Sequence, residues 1–107
     1  AGALMKLKYG IRLADLCPQM VLAATVVQEC YRERGGVATI TSANDSTHGE
    51  NSLHYKGRAL DFRTRDFAGD KHALISLIRA SLGNEFDVLL EDEGGLNEHL
   101  HVEYAPK

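Results

Sequence analysis

The chain predicts an α+β domain with a small, largely antiparallel sheet and helices packed on one of its faces. Three observations carry that expectation. Two stretches repeat apolar residues at helical spacing, four others are β-branched or alternate, and their order is helix, two strands, helix, two strands. At 107 residues the chain is expected to be one domain with a single core.

Each element has its own justification. Asp15 followed by Pro18 marks a helix start, because proline suits the first turn. PQMVLAATVVQECYRER (18–34) continues it with Met20, Ala24, Val27 and Tyr31 on one stripe, and Gly35 and Gly36 stop it. VATITS (37–42) reads as a strand, and ANDSTHGEN (43–51) as a long polar loop. RALDFRT (58–64) is a second strand. DKHALISLIRASLG (70–83) spaces Leu74, Ile75, Ile78 and Leu82 as a helix, capped by Asp70 and ended by Gly83. FDVLLE (86–91) and EHLHVEY (98–104) are strands joined by the acidic turn DEGGLN. Residues 1–10 are expected to be a poorly structured or tag-derived start, with Ala1 to Leu4 read as an expression scar ahead of Met5.

Composition narrows the function classes. A net charge of −3 leaves no electrostatic footprint for nucleic acid. The longest apolar run, Met20 to Val27, is too short to span a bilayer, and no basic amphipathic segment or secretion signal is seen. A monomer without membrane insertion is expected. Cys17 and Cys30 form no CxxC pair. Cys30, among the apolar residues of the first helix, reads as a buried free thiol, with a disulfide left open.

The period of two in the strands points to a metal site. In HLHVEY, Leu100, Val102 and Tyr104 share one face while His99, His101 and Glu103 share the other. In RALDF, Leu60 and Phe62 face one way and Ala59 and Asp61 the other. Catalytic zinc takes three protein ligands of His or carboxylate type and leaves a fourth position for water. His54, Asp61 and His101 supply that set. Glu98, three residues before His101, is the expected base, and His99 the expected oxyanion or orienting group. Glu91 and Glu103 are rival bases. Plainer readings stand beside these. His54 and His48 in a polar loop, and His72 near a helix start, also read as surface residues, and an HxH pair as a half-exposed edge. Mid-strand Asp61 is harder to read plainly, because aspartate is disfavoured there without a partner. Lys56, Arg58, Arg63 and Arg65 read as solvated surface, or as a source of one arginine for a substrate carboxylate.

SLHYKGRALD (52–61) resembles the SxHxxGxAxD motif of zinc D-alanyl-D-alanine peptidases at Ser52, His54, Gly57, Ala59 and Asp61. EHLH (98–101) resembles their closing motif. The resemblance covers residues 11 to 105 and looks closest to small phage-encoded, endolysin-type members; the wider superfamily includes the hedgehog signalling domain. It implies a single zinc peptidase domain over 1–107 with the zinc site on the sheet face away from the helices. His54, Asp61 and His101 become Zn2+ ligands, Glu98 the base, His99 a transition-state stabiliser, and Ser52 and Arg58 substrate contacts. The implied reaction is amide hydrolysis in peptidoglycan stem peptides, by a D-Ala-D-Ala carboxypeptidase or an L-Ala-D-Glu-type endopeptidase. A phage-encoded member would be made in the host cytoplasm and act on the cell wall. The region before His54, TSANDSTHGENS, lacks the arginine that many members use to hold the substrate carboxylate, which leaves an endopeptidase open. Two non-enzymatic alternatives of the same fold are a zinc-stabilised binding module and a structural component of a phage particle.

Overall fold

The first helix begins where proline permits it. In the computed structural model, which describes residues 5–43 and 57–107, α1 spans Pro18–Glu33 with Pro18 in the first turn. Proline lacks a backbone N–H that would go unpaired there in any case. Asp15 is not the cap: it takes a left-handed backbone (φ 63), and Cys17 occupies the capping position without a side-chain bond. Instead the Cys17 N–H donates to the Gly57 carbonyl at 2.9 Å. Gly57 has φ +70, and a Cβ on it would overlap the Asp15 carbonyl oxygen. Only glycine lets the chain enter the following strand so close to the start of α1.

The second helix, α2 (Lys71–Leu82), is capped as expected: the Asp70 carboxylate accepts from the His72 and Ala73 N–H groups at 2.9 and 3.2 Å. Gly83, at φ 86, ends it. The strands are β1 (Lys6–Leu7), β2 (Thr39–Ser42), β3 (Ala59–Arg63), β4 (Phe86–Glu91) and β5 (His99–Tyr104), in the spatial order β1-β2-β3-β5-β4. All pairings are antiparallel except β1 with β2. The sheet is therefore mixed, and its parallel strand falls inside the segment expected to be a poorly structured start. Two residues are too few to show a period. The strand is fixed instead by Lys6 and Lys8 N–H groups donating to Ala38 and Ile40 carbonyls at 2.9 Å.

The core lies between the helices and one sheet face. Met20, Val27 and Tyr31 of α1 and Leu74 and Ile78 of α2 meet Ile40, Leu60, Phe62, Leu100 and Val102, all fully buried. Tyr31 packs edge-on to Phe67, with ring centroids 5.7 Å apart, and its hydroxyl donates to the Arg63 carbonyl at 2.8 Å. Burial pushes the Tyr31 phenol up, so it stays neutral. Cys30 is a buried free thiol beside Ser81, and burial raises it too.

The apolar side chains of β3 and β5 thus face the helices, leaving the alternate residues for the other side. Val102→Asp should destabilise the domain by about 3–5 kcal/mol, since it places an unpaired charge in a dry core. Thermal melting checks this. An unchanged melting temperature would mean that the strand faces are reversed.

Candidate metal centre

On the face away from the helices, strand register assembles one cluster. Asp61 of β3 pairs with His101 of β5, which in turn pairs with Leu89 of β4. One step along, Arg63 pairs with His99, and His99 with Glu91. On the far side of β3 a register shift between Ile40 and Ser42 sets Ser42 opposite Asp61. Such irregularities re-aim side chains. The result brings together two imidazoles and two carboxylates from three strands.

The hydrogen bonds fix how each imidazole points. His101 Nε2 lies 2.6 Å from Glu103 Oε1, and its Nδ1 lies 2.8 Å from Asp61 Oδ1. His99 Nδ1 lies 2.7 Å from the Asn97 carbonyl, and its Nε2 lies 2.8 Å from Glu91 Oε1 and 3.9 Å from Asp61 Oδ2. Each ring therefore has an acceptor at both nitrogens. A neutral imidazole carries one N–H and satisfies only one of them. The other needs a second proton or a cation between nitrogen and carboxylate. Burial opposes the charged form of His101, but the hydrogen bonds from Asp61 and Glu103 outweigh it and lift the group to about 9. Burial likewise opposes charging His99, and the Asn97 carbonyl with Asp61 and Glu91 raises it overall.

A divalent cation suits this donor set for the same reason. With a cation bound, Glu103 would hold the N–H on His101 Nε2 and Nδ1 would face the ion beside Asp61 as a lone pair, the arrangement that orients metal-bound histidines. Asp61, Glu91 and His99 also offer ligand atoms that all lie within 4.8 Å of one another. The residues present fit a metal ion on chemistry as well as on spacing. Beside the cluster lies a cleft of about 310 Å³, lined by Asp61, His99, Glu98 and Ser42 together with the basic side chains of Lys8, Arg63 and Arg65.

The expected site residues divide into three groups. Asp61, His99 and His101 are brought together. His54 and Ser52 lie outside the described residues, as does His48. Arg58 lies away from the cluster, and Glu98 lines the cleft beside His99 with its carboxylate engaged by other partners. Arg58 stacks over the Tyr104 ring, 5.9 Å from its centroid, on the sheet face opposite Asp61. Glu98 is buried, its side chain 4% exposed. Its Oε1 accepts from Thr64 Oγ1 and Lys71 Nζ at 2.6 Å each, and its Oε2 from the Gly94 N–H at 3.0 Å. The Gly94 N–H, Lys71 and Thr64 hold its carboxyl down at about 2, far below the range useful to a base near neutrality. Glu98 ties the start of α2 to the β4–β5 turn. A signal for this was present: Glu98 has the parity of Leu100 and Val102, the apolar face. Glu91 has the opposite placement, half exposed (45%) with Oε1 also 4.0 Å from His101 Nδ1.

Glu98→Gln tests this assignment. All three partners donate, whereas an amide has only one acceptor oxygen, so its NH2 must face a donor. A loss of about 1–3 kcal/mol is expected, read as a lower melting temperature. Because folding lowers this carboxyl, its contribution is present above its ordinary value of 4.5 and is lost as pH falls toward about 2. The variant should therefore show a weaker acid-induced loss of stability than wild type. A variant as stable as wild type at neutral pH would remove the tie.

No solved structure matches the chain. The model of the Hedgehog amino-terminal signalling domain matches residues 13–102, which run from before α1 to within β5 and include Asp61, Glu91, His99 and His101. With its two helices, mixed five-stranded sheet and metal-competent cluster, the chain belongs to the Hedgehog amino-terminal signalling domain family, within the zinc-peptidase-like fold.

Proposed function

We propose that the protein is a zinc metallopeptidase that hydrolyses an amide bond in peptidoglycan stem peptides. The observation that carries the reading is the Asp61–His101 pair, with Glu103 locking the far nitrogen of His101 and exposed Glu91 alongside. His54, Asp61 and His101 would hold the zinc. Bound there, zinc supplies Lewis acidity and brings a water to acidity near neutral. Glu91 Oε1 takes the proton from the attacking water and hands it to the leaving amine. It is half exposed and sits beside the ligand nitrogens, whereas the Glu98 carboxylate is taken up by Lys71, Thr64 and the Gly94 N–H. His99, anchored at Nδ1 by the Asn97 carbonyl, holds Glu91 in place through Nε2.

The stem-peptide substrate rests on the SxHxxGxAxD resemblance at Ser52 to Asp61. A second reading, a zinc-stabilised binding module without turnover, is favoured by the family itself, whose description is that of a signalling domain.

Mass spectrometry of peptidoglycan fragments incubated with zinc-loaded protein separates the two readings. Cleavage is expected from wild type. Glu91→Gln should cut turnover by about 10²–10⁴ while keeping its zinc, as general bases typically do. His101→Ala should lose most of its zinc, because two remaining ligands bind it poorly. If zinc instead leaves with Glu91→Gln and stays in His101→Ala, the ion rests on Asp61, Glu91 and His99. A zinc-loaded wild type that cuts no fragment hands the site to the binding-module reading.

A further inference from the structure

The two carboxylate oxygens of Asp61 face different imidazoles. Oδ1 lies 2.8 Å from His101 Nδ1, and Oδ2 lies 3.9 Å from His99 Nε2. The zinc proposed above takes the His101 side. The His99 side has a donor set of its own, completed by Glu91: one ligand atom each from β3, β4 and β5, all within 4.8 Å of one another.

The state of His99 is fixed by its backbone partner. Nδ1 lies 2.7 Å from the Asn97 carbonyl. A carbonyl oxygen only accepts, so Nδ1 carries the ring's N–H. In the neutral ring Nε2 is then a lone pair, and it meets Glu91 Oε1 at 2.8 Å and Asp61 Oδ2 at 3.9 Å. Three acceptors converge there, which a cation satisfies without a second proton on the ring. The spacing suits one. A tetrahedral ion with bonds of about 2.1 Å holds its donors roughly 3.4 Å apart. The separations of 2.8 and 3.9 Å at His99 Nε2 straddle that value.

Charge and access agree. Three carboxylates, Asp61, Glu91 and Glu103, meet the two imidazoles, and one divalent ion balances only two of them. Glu91 is 45% exposed, and Asp61 and His99 line the cleft, so an ion has a path from solvent. Lys8, Arg63 and Arg65 line the same cleft and oppose a second cation, as does an ion already at His101. This side therefore fills second.

We propose that Asp61, Glu91 and His99 form a second, weaker divalent-cation site that shares Asp61 with the first and silences Glu91 when filled. An ion on the Glu91 carboxylate occupies the oxygen that would take the water proton. The site itself goes beyond the peptidase reading, and only the silencing rests on it.

Equilibrium dialysis against buffered free zinc, with bound metal counted per chain, tests the site without turnover. Wild type should take up one zinc and then a second, the two steps separated by about tenfold or more in free zinc. Glu91→Gln and His99→Ala should keep the first step, which also shows that each variant is folded. Their second step should move up by about tenfold or more, because two donors hold zinc poorly. A single step in wild type overturns the site. So does a second step unmoved in either variant, the mark of adventitious surface zinc, or loss of both steps in a Glu91→Gln variant that melts like wild type.

Hydrolysis of peptidoglycan fragments tests the silencing. The wild-type rate should fall about tenfold or more as the second step fills, and His99→Ala should lose that dependence on zinc. An undiminished rate with both steps filled overturns the silencing. Two binding steps with no hydrolysis at any zinc level keep the site and remove the peptidase reading.

Discussion

The antiparallel register of β3 on β5 is the constraint from which the site follows. Asp61 opposes His101 because Leu60 opposes Val102 and Phe62 opposes Leu100 underneath. Those four side chains are fully buried. At roughly 1.5–3 kcal/mol for each side chain removed from water, their burial amounts to about 6–12 kcal/mol. That is comparable with the whole net stability of a small domain, about 5–15 kcal/mol. A slip of one residue would carry the apolar set to solvent and bury the imidazoles, so the core enforces the geometry of the polar face. The polar cluster needs no stabilising energy of its own to be in register.

The same constraint explains why Glu98 and Glu91 are placed so differently. A three-residue offset from His101 makes Glu98 look like a base, but an offset says nothing about direction. Parity does. Glu98 continues the row of Leu100 and Val102, and the fold meets its charge there with Lys71, Thr64 and the Gly94 N–H. Glu91 lies eight residues from His99 in sequence, yet directly opposite it across β4 and β5. Only the length of the turn between the strands brings it there, and that turn closes through the Glu98 carboxylate and the Asn97 N–H to Asp92 Oδ2 bond at 3.0 Å. A buried ion pair of modest worth in stability thus has its main consequence in placement.

What was legible in the chain is what repeats. The two helices, Asp70 as a cap, and the faces of β3 and β5 all follow from periods of 3.6 and two. β1 carries no period in its two residues, and so the approach of Lys8 to the cleft was invisible. Parity also sorts the basic residues around β3: Arg63 shares the parity of Asp61, whereas Arg58 shares that of Leu60 and so lands on the opposite face by Tyr104. Gly57 was noticed as a motif position, but its reason, the close approach to Asp15 and the bond to Cys17, needed the packed chain.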